Sequence, residues 1–330
     1  MTQLLDLAVV PGIRIERGRS ASGSAHEDVL AGLSARPRRL PSRLLYDAVG
    51  FELLGRLWHG DGYYPRRLER QLLLDHAPAL AELAGPRARV IEPWHGDIER
   101  SIRMLAALDH PAQYIPIDGD PARLATTAET VRAALPDLEV RPAVTLDEVL
   151  PRSGSFERSL AFLPGTTIGT LEPTHAVRLM TLLAALVGDE GALVLGADAT
   201  SDPEPLMHAY HDAHGTAARW VKHALVQLAR VADAAVDLEA FTYECEWNPA
   251  ETRLDLELVA RRPTAIVIGG HAFEIDIADS IVVEQRHQHS AEAIHAMLGI
   301  AGWQASRVFT ALPEPMRIWL CERWRPGRRR

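Results

Sequence analysis

The stretch that most constrains this chain is Val90-Ile91-Glu92-Pro93-Trp94-His95-Gly96-Asp97, a short apolar run that stops abruptly at a loop. A second apolar run, Tyr114-Ile115-Pro116-Ile117-Asp118, follows after a helical interval and ends in an acid. Strand, loop, helix and a second strand with a terminal carboxylate form the opening unit of a nucleotide-type α/β domain. The first loop of such a unit ordinarily carries glycines, so that backbone can approach a ligand closely. Here it carries Pro93, Trp94 and His95. The architecture points to a ligand crevice, and the loop chemistry works against it.

The rest of the chain extends the pattern. Ile98, Ile102, Leu105 and Leu108 predict a helix after the Trp94 loop, and residues 121–135 predict the next. Leu138-Glu139-Val140, Leu160-Ala161-Phe162-Leu163 and residues 191–196 predict the third, fourth and fifth strands. The fourth ends in Pro164-Gly165-Thr166-Thr167-Ile168-Gly169-Thr170, a crevice signal, because open α/β sheets bind ligands at the carboxyl ends of their strands. Residues 204–234 read as helical. From Phe241 the period becomes two: Tyr243, Cys245 and Trp247 alternate, then Leu254, Leu256 and Leu258 across an Asn248-Pro249 turn, a β-hairpin. Residues 265–277 add a strand pair, and Ile281 to His289 a further strand. A helix around Ile294, Met297 and Leu298 and two strands near Trp303 and Trp319 close the fold. Four regions are expected: an N-terminal arm (1–40), helices plus the core sheet (41–200), an α+β region (201–290) and a return to the core sheet (291–330).

Composition narrows the function classes. The 330 residues carry a net charge of -9, which argues against a nucleic-acid surface. The terminal Arg325, Arg328, Arg329 and Arg330 read as a solvated tail. Two cysteines, Cys245 and Cys321, set up neither a disulfide framework nor a metal site. His208, His211, His214 and His223 lack a metal-binding motif, and no metal is expected. No apolar run reaches membrane-spanning length and no secretory signal is apparent, so no membrane partner and a cytoplasmic location are expected.

Four blocks in register resemble the histidine-specific Nα-methyltransferase family of the ergothioneine pathway. They are Leu45-Tyr46-Asp47-Ala48-Val49-Gly50-Phe51-Glu52-Leu53, Gly62-Tyr63-Tyr64-Pro65-Arg66-Arg67-Leu68-Glu69, Phe162 to Pro173, and Ala209-Tyr210-His211-Asp212. The resemblance covers about Leu40 to Trp324. It implies an α/β fold, a class I methyltransferase (Rossmann-like) sheet with a second α+β substrate-binding domain. It also implies an amino acid held by Tyr46, Tyr63 and Tyr210, an α-amino contact at Thr170, and a side-chain contact at Glu284 and Arg286. The cofactor positions it implies are Glu92, Trp94, His95, Gly96, Asp118, Asp147 and Gly165.

The chain departs from the family at several of these places. Trp94 stands where the family has the first glycine of its S-adenosylmethionine loop, and its indole is expected to project into the cofactor seat. The adenine-contacting aspartate falls at Leu146, beside Asp147. Thr170 replaces an asparagine and Arg286 a serine, putting a fixed charge where the family holds a neutral imidazole. These departures lead to the expectation that S-adenosylmethionine is not used and that no cofactor is needed. A pocket that aligns an amine then suits intramolecular N-alkylation, the amine expelling an anionic group such as sulfate to close an aziridine-type ring. In that reading Glu284 or Asp118 is the base, Arg286 with His287, His289 and His95 holds the departing anion, and Trp220 helps to line the pocket. Two alternatives stand beside it: an S-adenosylmethionine-dependent N-methyltransferase of a histidine-like amino acid, and a non-catalytic scaffold for a small partner protein.

Overall fold

The computed structural model describes residues 25–324, except 95, 150–155, 166, 201, 212–213 and 313–315. The arm before residue 25, the arginine tail, His95 and Asp212 therefore lie outside the described residues. The chain forms two compact units: 65–200 with 289–324, and 25–64 with 202–288.

The first unit is built on a seven-stranded sheet: β1 (Arg89–Pro93), β2 (Gln113–Ile117), β3 (Glu139–Val140), β4 (Ser159–Leu163), β5 (Ala192–Asp198), β6 (Trp303–Thr310) and β7 (Met316–Arg323). Their spatial order is β6-β7-β5-β4-β1-β2-β3. The first five run parallel, and β7 is antiparallel to both of its neighbours. This is the class I methyltransferase fold. β1, β2, β4 and β5 are buried along their whole length, which is why each reads as a continuous apolar run rather than an alternating one. The helices Pro173–Val187 and Ala291–Ile300 contribute Leu179, Met180, Leu183, Ile294 and Leu298 to one core cluster with Ile91, Ile115, Leu163 and Leu195. Strand order reverses at β1, which pairs with β2 on one side and β4 on the other. The loops after β1 and β4 therefore flank the switch point where such sheets take ligands.

The second unit joins a four-stranded sheet to helices. The strands Phe241–Asn248, Arg253–Ala260 and Ser280–His287 form an antiparallel meander, and the short strand Arg38–Arg39 adds in parallel at the edge. Thr264–Ile268 and His271–Ile275 make a separate hairpin. The helix Ala48–Trp58 packs on Thr216–Val231. Two boundaries differ from the sequence reading. Residues 41–64 associate with 202–288 instead of the large sheet, because Leu54 and Leu57 are buried there. The described part of the expected arm is also integral. Helix Ala25–Ser34 buries Val29 and Leu33, and Arg38 donates to the carbonyls of Leu33 and Glu274 at 2.7 and 2.6 Å. No described helix is long and apolar enough to cross a membrane.

Candidate active site

In the sheet unit the crevice begins at Trp94. Its φ of 55° lies in the left-handed region, the conformation a glycine would adopt without strain. The Trp94 amide donates to the Ile117 carbonyl at 3.0 Å, and the partly buried indole packs on the apolar cluster under the sheet. A left-handed L-residue costs roughly 1–2 kcal/mol. Half-burying an indole returns about 2–3 kcal/mol at ~25 cal/mol per Å², so packing outweighs the strain. Glu92 does not face the crevice. It is fully buried and accepts from Ser101 Oγ at 2.9 Å and the Tyr114 hydroxyl at 2.7 Å.

Beneath this loop lies a buried charge network. Arg100 reaches Glu69 at 3.2 Å and Glu92 at 3.5 Å, and Arg66 pairs with Asp97 at 2.7 Å. Glu69 also accepts from the Gly165 amide. Desolvation raises the Glu69 and Glu92 carboxyls above their usual range, against the pull of Arg100. Asp97 is desolvated too, but its bonds from Arg66 and Arg100 prevail and hold its carboxyl low. Gly165 has φ 74°, and a side chain there would crowd Arg100 Nη1 at 3.1 Å. A side chain on Gly196, inside β5, would collide with Glu69 Oε1. The two glycines thus let a charged helix residue lie across the strand ends, a network that sequence reading missed.

Asp118, at the end of β2, is 3% exposed. It accepts from Arg123 Nε at 2.8 Å, Arg123 Nη2 at 2.5 Å and the Asp120 amide at 2.8 Å. A carboxylate has about four acceptor sites, so one remains for a ligand hydroxyl. This guanidinium pairing suits a holding role better than a base. Leu146 is buried in the core cluster and Asp147 is exposed beside it. Nearby Thr145 Oγ1 is buried without a hydrogen-bond partner. The Thr170 hydroxyl donates to the Thr167 carbonyl at 2.8 Å. His289 belongs to this unit, buried against the backbone of Ile168 and Leu171, and desolvation lowers its pKa.

In the second unit six of the expected site residues converge. The Tyr46 hydroxyl donates to Glu284 Oε2 at 2.9 Å. Tyr63 and Tyr210 meet edge to face, their hydroxyls 3.4 Å apart. Tyr46 and Trp220 are also edge to face, with ring centroids 6.2 Å apart. Glu284 and Arg286 sit two apart on one strand, so both point to the same face, and His287 points to the other. The structure thus gathers Tyr46, Tyr63, Tyr210, Trp220, Glu284 and Arg286. His287 lies on the opposite face of the strand from Arg286, and His289 belongs to the sheet unit. Burial raises the Glu284 carboxyl, opposed by Arg286 and the Tyr46 hydrogen bond. The Tyr46-Asp47 block has a local reason too. Asp47 caps helix Ala48–Trp58 through the Gly50 amide at 2.8 Å and lies 2.7 Å from His223 Nε2. A side chain on Gly50 would strike the Leu45 carbonyl.

Comparison with known proteins adds to this geometry. The family described as histidine-specific methyltransferase, SAM-dependent, matches residues 25–323. The histidine N-alpha-methyltransferase of Mycolicibacterium smegmatis is 29% identical over 297 residues, covering 88% of this chain and 92% of that protein. The Mycobacterium tuberculosis enzyme of the same name is 30% identical over 293 residues, covering 86% and 90%. N-methyltransferase imqF of Aspergillus flavus is 25% identical over 294 residues, covering 85% and 77%. The family match overturns the expectation that no cofactor is used. It runs through the Trp94 loop, and the family is S-adenosylmethionine-dependent. The physical reason for the error is conformational: Trp94 takes the glycine-like backbone angle, and its indole has apolar core to pack against.

Proposed function

We propose, for a chain that belongs to the histidine-specific, S-adenosylmethionine-dependent methyltransferase family, that it methylates the amine of a histidine-like amino acid or a derivative of one. The observation that carries this reading is the extent of the match, which includes both the crevice loops of the sheet unit and the tyrosine–carboxylate cluster of the other.

S-adenosylmethionine, when bound, supplies an electrophilic methyl group on sulfur. The residues that would hold it are Asp118, through its remaining acceptor site toward a ribose hydroxyl, Thr145 and Asp147 on the base side, and the backbone of Trp94, Gly96 and Gly165. The donor set fits: one carboxylate site and one buried hydroxyl lack protein partners. For the amine, Tyr63 and Tyr210 shape the pocket and exclude water. Glu284, bonded to Tyr46, takes the proton that the nitrogen sheds as the N–C bond forms. A carboxyl with a raised pKa suits this role better than an ordinary one, because it binds a proton more readily at neutral pH.

The test is incubation with methyl-labelled S-adenosylmethionine and a panel of amino acids, followed by mass spectrometry. The reading expects one methyl gained at the α-amine per S-adenosylhomocysteine formed. An amine converted without the methyl donor, or no label transfer to any amine, contradicts it.

A further inference from the structure

We propose that the substrate of the second unit's cluster carries an anionic group, and that Arg286, with Trp220 Nε1, holds it. The inference rests on the amine-binding reading above and adds the class of ligand.

Arg286 is 6% exposed, yet its side chain's only hydrogen bond among the described residues is from Nη2 to the Tyr46 hydroxyl, at 3.5 Å. Its Nε is buried without an acceptor. A guanidinium carries five N–H donors and no acceptor, so the buried Nε–H is left unmet. Glu284 does not meet it. Its oxygens accept from the Tyr46 hydroxyl and the Gln285 amide, and no ion pair joins it to Arg286. Trp220 repeats the imbalance: it is fully buried, and its Nε1 also lacks an acceptor. Two buried donors of one cluster, Arg286 Nε and Trp220 Nε1, therefore lack acceptors.

Its geometry makes that imbalance useful. The guanidinium carbon lies over the Tyr210 ring at 5.8 Å from the centroid and the Trp220 ring at 5.7 Å. Two aromatic rings flank the guanidinium. Arginine edges bind carboxylates and phosphates through two parallel bonds, which an ammonium cannot reproduce. A buried N–H without an acceptor is costly, and the acceptors that relieve that cost come with the substrate. Two sources share this chemistry: the α-carboxylate of any amino acid, or a second acidic group.

Calorimetric titration of the intact protein, without methyl donor, separates them. The probes are L-histidine, histamine, L-glutamate and O-phospho-L-serine. At least one anionic amine should bind about tenfold or more tighter than histamine. Equal affinity for L-histidine and L-glutamate assigns the anion to the α-carboxylate, and a tenfold preference for L-glutamate or O-phospho-L-serine assigns it to a second acidic group. Arg286→Met should lose at least about tenfold affinity for the anionic probes with histamine unaffected, and Arg286→Lys should lose less. Histamine binding as tightly as the anionic probes, no binding by any of the four, or an Arg286→Met variant with unchanged affinities overturns the proposal. If Arg286→Met fails to fold, the wild-type ligand series decides alone. No methyl is transferred in these titrations, so their failure is distinct from failure of the methylation reading.

Discussion

The Tyr46 hydroxyl donates to Glu284 Oε2 at 2.9 Å, and Arg286 approaches the same hydroxyl oxygen at 3.5 Å from the same face of the strand. A carboxylate, a phenol and a guanidinium therefore share one buried cluster, in which the proposed methyl transfer gives the acid the proton.

Glu284→Gln tests that placement. It should lower methyl transfer by about 100-fold or more, the usual contribution of a positioned acid–base group. Its stability should move the other way. The folded Glu284 carboxyl is raised by burial, so the stability tied to it is complete below the ordinary value of about 4.3 and declines as pH rises through the raised value. Glutamine has no such loss. The melting temperature of the variant relative to wild type should rise as pH climbs above the ordinary carboxyl value of about 4.3, measured by scanning calorimetry. A relative melting temperature that falls over this range contradicts the argument.

Arg100 holds two buried acids, Glu69 and Glu92, at 3.2 and 3.5 Å. Arg100→Met keeps the bulk and removes the charge, leaving both carboxyls without their cation. Breaking a buried pair in this way costs about 3–5 kcal/mol. Urea denaturation should read a loss of that size, and a loss below about 1 kcal/mol would show that the network is dispensable.

Much of this was legible in the sequence, for identifiable reasons. The strands of the large sheet are covered on both faces, so Val90-Ile91 and Leu160-Ala161-Phe162-Leu163 stand out as unbroken apolar runs. The substrate-side residues are those that the resemblance to the family implies, and Glu284 and Arg286 share a face because strand side chains alternate. Three features were not legible. Local pattern does not say which distant segment a helix packs against, so the association of 41–64 with 202–288 depended on long-range burial. Glu69 and Arg100 look like solvated helix residues, and their faint signal was Gly196 inside an otherwise bulky strand. Trp94 was read by the size of its ring, but its backbone angle and the direction of its indole decide what the loop can hold.

Trp94→Gly follows from that correction. The left-handed strain disappears, but so does the indole packing, which is the larger quantity. The variant should lose stability by about 1 kcal/mol, the difference between those two effects. S-adenosylmethionine affinity should stay within about threefold, well under the 1.4 kcal/mol that a tenfold change represents. A gain above about tenfold would show that the indole occupies the cofactor seat in the wild-type protein.

For methyl transfer, the crevice at the ends of β1 and β2 must accept a methyl donor despite its missing loop glycine. Titrating S-adenosylmethionine into the wild-type protein and into Asp118→Ala, with heat as the readout, asks this directly. Saturable binding by the wild type, weakened about tenfold or more by losing the carboxylate that would hold the ribose, is the predicted result. A wild-type protein that gives no binding heat and is not stabilised by S-adenosylmethionine in a melting experiment would contradict it.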